Sequence, residues 1–244
     1  DTTFNSGGSG PGSSVGDIEL LANGKILISG GFGSYNGVAR QYFALLNSDG
    51  TLDNSFNPTG STLRSGDMAI QTDGKIVVGT YVEFFNEGLY PPIARLNANG
   101  TVDSSIHPFM GSSGFVYKVL VQPDGRILLS GFWNHINSVF RRNLARFMPD
   151  GTPDPTFSNS IFFDDVLDYV RNLDLQPDGK ILAAGGIRHG ERLNPDGSHD
   201  VTMNSFDGPG NLYDLPDGKL LGFTDRTQRF SSEGFLEAEP TRFN

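Results

Sequence analysis

The stretch LNSDGTLDNSF, Leu46–Phe56, decides the fold because the chain repeats it. It returns as LNANGTVDSSI at 96–106, FMPDGTPDPTF at 147–157 and LNPDGSHDVTM at 193–203. A weaker fifth copy surrounds Gly234. Asp-Gly or Asn-Gly between two short apolar runs marks a β-hairpin, because both turn positions favour positive φ. A hairpin explains one copy but not the recurrence. Two readings stand: each copy holds something, such as a metal ion, or the copies build a repeated scaffold.

A second phrase alternates strictly with the first. It is clearest as QPDGKIL, with turn glycines Gly24, Gly74, Gly125, Gly179 and Gly218. The first phrase has Gly50, Gly100, Gly151, Gly197 and Gly234. Each phrase is flanked by period-two strands, so each of five units reads as two hairpins, or four short strands A to D. The first three units recur every 50 or 51 residues and the last two are shorter. No segment shows helical periodicity over a span of about 11 residues. The expected fold is all-β: one five-bladed β-propeller over 1–244 with four antiparallel strands per blade. The blades run approximately 6–57, 58–107, 108–158, 159–204 and 205–244. A linear array would also bury blade faces but would leave two ends exposed. The opening DTTFN matches a D-strand phrase, so residues 1–5 are expected to close the ring, with Thr2–Phe4 pairing in the fifth blade.

LQPDGKIL followed by ARLNxDGTLDxSF resembles the delta-60 repeat family, a bacterial β-propeller repeat. The resemblance spans all five units, and unit 5 departs most, carrying Ser232-Glu233-Gly234 and then FLEAEPTRF. It implies a propeller fold, a bacterial or phage origin and a secreted or surface context. It implies no catalytic residues.

The chain has 244 residues, 36% of them hydrophobic, which suffices for one sizeable core. Its 32 glycines and 14 prolines suit many short strands and turns. A net charge of −10, with the basic residues dispersed, argues against nucleic-acid or anionic-membrane binding. The absence of cysteine excludes disulfides, cysteine-based zinc sites and thiol catalysis. No apolar run approaches the ~20 residues of a membrane-spanning helix, and no leader pattern opens the stretch.

Several polar residues recur with the turns. Arg95, Arg146, Arg192 and Arg229 stand five residues before the second glycine, where unit 1 has Leu45. Asp53, Asp103, Asp154, Asp200 and Glu237 stand three after it; Phe56, Ile106, Phe157 and Met203 stand six after it. The acids read as calcium ligands or as hairpin chemistry, bonding nearby N–H groups or the arginine. Calcium wants six to eight oxygens and this loop supplies too few, so no cofactor is expected. The apolar residues are expected to wedge into the core. Lys25, Lys75, Arg126, Lys180 and Lys219 are expected to be solvated.

In such a blade the A–B and C–D turns share one face of the disc, and the variable B–C and D–A connections share the other. Function is therefore expected on the variable face, because loops carry recognition while strands position them. Candidate ligand-binding residues there are Tyr35, Asn36, Tyr42, Phe85, Asn86, Tyr90, Trp133, His135, Asn137 and Arg141, with Arg142 beside them. Aromatic rings next to amides suit sugars. The same Asn also caps turns, and a lone Trp also fills cores. Short B–C loops in units 4 and 5 leave a notch, and Asp164, Asp165 and Asp168 add acids to one D–A connection.

An enzyme reading needs a carboxylate pair, as in glycosidases. The seven glutamates match no such phrase, Glu83 and Glu87 being the least repeat-like. The four histidines lack metal-ligand spacing. The expectation is a non-enzymatic recognition or structural module of a secreted, cell-surface or phage tail or fibre protein. It would bind a glycan or a protein, with other chains of a larger assembly as further partners. The alternative is a glycoside hydrolase-like propeller with its carboxylates in the central cleft.

Overall fold

The computed structural model describes residues 3–58, 66–79, 93–106, 114–136, 139–159, 169–185, 189–203, 206–207, 211–223 and 227–237; for Val139, His189, Phe206 and Asp207 it describes the backbone alone. All regular structure among them is β, and every pairing is antiparallel. Each sequence unit forms one main sheet. Unit 1 pairs β1 (Val15–Leu20), β2 (Ile26–Gly30) and β5 (Phe43–Leu46), with a side hairpin of β3 (Ser34–Tyr35) and β4 (Val38–Ala39). Unit 2 pairs β6 (Met68–Ile70), β7 (Ile76–Gly79) and β8 (Ile93–Leu96). Unit 3 pairs β9 (Phe115–Val121), β10 (Ile127–Phe132) and β13 (Leu144–Phe147), with a side hairpin of β11 (His135–Ile136) and β12 (Val139–Phe140). Unit 4 pairs β14 (Asn172–Leu175), β15 (Ile181–Gly185), β16 (His189–Leu193) and β17 (Phe206–Asp207). Unit 5 pairs β18 (Asn211–Asp214), β19 (Leu220–Phe223) and β20 (Thr227–Phe230).

Among the described residues the phrase after the second turn adds one bridge per unit, Leu46 with Leu52, Leu96 with Val102, Phe147 with Pro153, Leu193 with His199 and Phe230 with Leu236, and only unit 4 goes on to a fourth strand, β17. The reason lies in the phrase itself. The acid three residues past the glycine turns its side chain onto the next backbone N–H groups, as Asp103 does with Ser105 N at 3.0 Å, and this local turn ends the ladder.

The turns also differ from the expected type. Only their glycines take positive φ, from 78° to 88°. The preceding Asn or Asp stays on the ordinary side and accepts the N–H two residues on, as Asp49 does from Thr51 at 2.9 Å. Gly50 N donates to Asn47 O, and Asn47 N to Thr51 O. This is the three-residue loop in which a turn is followed by a left-handed glycine. The two turns of a unit stand together: a Cβ built on Gly24, Gly74, Gly125 or Gly179 would meet Ser48, Ala98, Pro149 or Pro195 of the second turn.

The core lies between successive sheets. Leu27, Phe43 and Phe56 of unit 1 pack on Met68, Ile76 and Leu96 of unit 2. Units 2 and 3, 3 and 4, and 4 and 5 repeat the arrangement. Phe56, Ile106, Phe157 and Met203 are all buried in these seams, as expected. Burying each contributes roughly 1.5–3 kcal/mol. First strands of successive sheets touch in turn, β1 with β6, β6 with β9, β9 with β14 and β14 with β18, and make up an inner layer.

Thr2 lies outside the described residues. Phe4 packs its ring over Gly50 in unit 1, and Asn5 N donates to Asp49 O at 2.7 Å. Leu236, from unit 5's own phrase, makes the bridge to Phe230.

Candidate functional site

The repeated charges form the scaffold's brackets. Arg192 Nε donates to Asp200 Oδ2 at 2.6 Å, and Lys180 Nζ stands 3.0 Å from the same oxygen. Asp103 is held in the same way by Arg95 and Lys75, and Asp154 by Arg146 and Arg126. The remaining carboxylate oxygen accepts from Ser105, Thr156 or Thr202. The lysines are therefore ion-paired, which corrects the expectation that they are solvated. The carboxyls titrate accordingly. Hydrogen bonds from Lys25 and Ser55 pull Asp53 down to about 2. Burial pushes Asp200 upward, but bonds from Thr202, Lys180 and Arg192 outweigh it, so its pKa falls well below the ordinary range. Among the described residues no three His, Asp or Glu side chains are grouped to hold a metal ion.

The candidate ligand residues separate. Tyr35 is buried and donates its hydroxyl to Gly50 O at 2.8 Å. Asn36, at φ 48°, accepts Gly10 N at 2.7 Å and donates to Asn5 Oδ1 at 2.7 Å, which ties down the N-terminal segment. Trp133 is 2% exposed, packed with Ile127, Ile136 and Phe147, and shows no ring face at the surface. Phe85, Asn86, Tyr90 and Asn137 lie outside the described residues, as do Glu83, Glu87, Asp164, Asp165 and Asp168. His135 is exposed, its ring edge-on to exposed Phe140 at 5.5 Å. Tyr42 and Arg141 are half-buried and line clefts.

Those clefts occupy equivalent places in two units. In unit 3 a cleft of about 560 Å³ is lined by Phe140, Arg141, Arg142, Asn143, Ser158 and Asn159 over the wedge Phe157. In unit 1 a cleft of about 400 Å³ is lined by Phe32, Ala39, Gln41, Tyr42, Asn57 and Pro58. Counted from the repeat glycines, Phe140 replaces Ala39, Arg142 replaces Gln41 and Asn159 replaces Pro58. The fold makes the hollow, and unit 3 fills its rim with an aromatic ring, two guanidinium groups and an amide. Asn159 donates to Arg142 O at 2.9 Å, while its Oδ1 is buried without a hydrogen-bond partner.

The inner layer holds a polar seam that the sequence pattern did not reveal. Asp17 accepts Met68 N of the next unit at 2.9 Å, and Asp67 accepts Val119 N of the next at 2.7 Å. Both acids stand seven residues before the unit's first glycine, and that shared offset was the available signal. Lys118 Nζ pairs with Asp67 at 2.8 Å. Burial raises Asp67 to about 6 against the pull of Lys118, and burial with the neighbouring Asp17 raises Glu19. Burial opposes the charge on Lys118, but Asp67 outweighs it and raises its pKa. Tyr117 is skipped by the β9–β10 register and stands out 5.4 Å from the ring of Tyr169. Such bulges re-aim a side chain.

No curated protein matches the chain by sequence. Among solved structures, a streptogramin B lyase superimposes with TM-score 0.62 at 10% identity, covering 97% of this chain and 72% of that one. The gluconolactonase XC5397 of Xanthomonas campestris gives 0.55 at 17%, covering 89% and 72%. The extracellular domain of the putative hybrid two component system BT4673 of B. thetaiotaomicron gives 0.60 at 10%, covering 97% and 32%. At these identities the likeness is one of fold. It does overturn the expectation of a non-enzymatic module, because structures of this fold include a lyase and a gluconolactonase. A family model described as "Domain of unknown function (DUF5122) beta-propeller" matches residues 21–56, 71–105 and 122–157. Those three stretches, the hairpin cores of units 1 to 3, match a β-propeller repeat.

Proposed function

We propose that the chain recognises an anionic glycan through the unit 3 cleft on the loop side of the propeller. The observation that carries this is the contrast between the two equivalent clefts. Arg141 holds the place of Arg40, which in unit 1 is buried and bonded to Ala39 O and Asn54, whereas Phe140, Arg142 and Asn159 replace Ala39, Gln41 and Pro58 and give the unit 3 cleft a stacking surface, a forked donor and an amide. Guanidinium groups match carboxylates with two parallel hydrogen bonds, and aromatic faces suit sugar rings. A position outside the bacterial cell fits this reading and is supported by the likeness in fold to the extracellular domain of a two component system. The test is an array of acidic and neutral glycans probed with the wild type, an Arg141→Ala/Arg142→Ala variant and Phe140→Ala. Binding of uronic or sialic acid glycans that the double variant loses, with its melting temperature kept, supports the proposal. Binding that survives both variants, or none to any glycan, removes it.

A second reading is catalysis in the inner layer, favoured by the raised pKa values of Asp67 and Glu19. Perturbed acids in clefts are candidate acid–base groups. Turnover of a lactone or glycoside that Glu19→Gln abolishes would establish it, and turnover unchanged in that variant would exclude Glu19.

A further inference from the structure

The four seams among the described residues supply a template for a fifth that those residues leave open. In each seam the residue six before the first glycine is at most 2% exposed: Met68, Val119, Leu173 and Leu212. In unit 1 the same position is Ile18, 62% exposed. The wedges Phe56, Ile106, Phe157 and Met203 are 1–5% exposed, yet Phe4, seated on Gly50 as Ile106 is on Gly151, remains 43% exposed. On the opposite flank, Ser29, Ser130 and Ala184 are at most 1% exposed, whereas Phe223, their counterpart in unit 5, is 37% exposed.

The polar latch tells the same story. Arg95 reaches across its seam to Pro149 O at 2.6 Å, Arg146 to Pro195 O, and Arg192 to Ser232 O at 2.7 Å. Each acceptor stands two before the second glycine of the following unit. Arg229, the counterpart in unit 5, turns back to Asp217 of its own unit. The acceptor it would need is the counterpart carbonyl, Ser48 O. The chain therefore presents two unlike, mutually complementary flanks, one apolar face that receives and one that inserts. We propose that the unit 5 flank of one chain docks on the unit 1 flank of a second copy, rebuilding the internal seam with Phe223 against Ile18 and Arg229 on Ser48 O. The contact is heterologous, so each docked chain still exposes one flank.

Fit is favoured by the N-terminal phrase. Unit 5 has Pro240 at its wedge position, and Phe4 already fills the receiving groove of unit 1, so no wedge need cross between copies.

The test uses the intact chain in sedimentation velocity over a range of concentrations, with Ile18→Asp, Phe223→Asp and Arg229→Glu. Each change falls on an exposed side chain, and circular dichroism checks the fold. Wild type is expected to grow in multiples of the chain mass with concentration, and each variant alone to sediment as monomer. An equimolar mixture of Ile18→Asp and Phe223→Asp keeps one sound pair of flanks, so it is expected to give a dimer that grows no further. A wild type that stays monomeric overturns the proposal, and if Ile18→Asp then lowers its melting temperature, the chain closes on itself. A mixture as monomeric as its components also overturns it.

Discussion

Arg192 and Asp200 meet across a hairpin at 2.6 Å while the same guanidinium reaches Ser232 O of the following unit at 2.7 Å. One side chain thus closes a turn and ties two sheets together. Both groups are almost fully buried, so neither charge has water to fall back on. Removing one partner of a buried pair costs more than the pair is worth, because the other charge stays behind. Asp200 keeps Lys180 at 3.0 Å while Ser232 O loses its donor, so Arg192→Ala is expected to lower stability by about 3 kcal/mol, the low end of that cost. Urea unfolding followed by tryptophan fluorescence checks this through the midpoint at unchanged slope.

The bracket carboxyls set the acid limit. Asp53 has its folded pKa lowered from 3.8 to about 2 by Lys25 and Ser55. A depressed carboxyl contributes stability that is complete above its ordinary pKa and is lost as pH falls through the folded value. Melting temperature is therefore expected to drop between about pH 4 and pH 2. Asp53→Asn should flatten part of that fall.

Asp67 acts with the opposite sign. Its folded pKa, about 6, lies above the ordinary 3.8, so the folded state binds the proton more tightly. Stability tied to Asp67 is then present at low pH and falls as pH rises from about 4 to 6. Subtracting the pH profile of Asp67→Asn from that of wild type should isolate this slope. A difference curve that is flat across that window would show that the inner-layer acid is not protonated there.

Gly151 combines a φ of 86° with a Cβ position only 2.0 Å from Ile106 of the preceding unit. Ala there meets both a left-handed backbone and a packed wedge. Gly151→Ala is expected to destabilise by about 2–3 kcal/mol from the overpacking and backbone costs together. At Gly218, where no atom lies within 4 Å, only the backbone cost applies, so Gly218→Ala should cost less. Calorimetry of the two variants compares them directly.

Local chemistry was legible where it repeats. The ten turn glycines, the wedges and the Arg–Asp pairs all follow from spacing, because each depends on residues only a few positions apart. The lysine of the first turn was misread as solvated, since its acid partner lies on the other hairpin of the unit: Lys25 and Asp53 are 28 residues apart. Trp133 shows the same limit. The sequence left it between a ligand platform and the core filler that a lone Trp more often is, and only the packing after β10 places it in the seam with unit 2.

By itself the sequence determined an all-β chain of repeated hairpins, because turn chemistry and two-residue alternation are local and recur in register. Only the tertiary structure decided which polar groups serve the scaffold and which face a cleft. It also decided which flanks are covered, as Ile18 and Met68 demonstrate: they hold the same place in the repeat, and one is exposed and the other buried solely because a neighbouring sheet lies against the second.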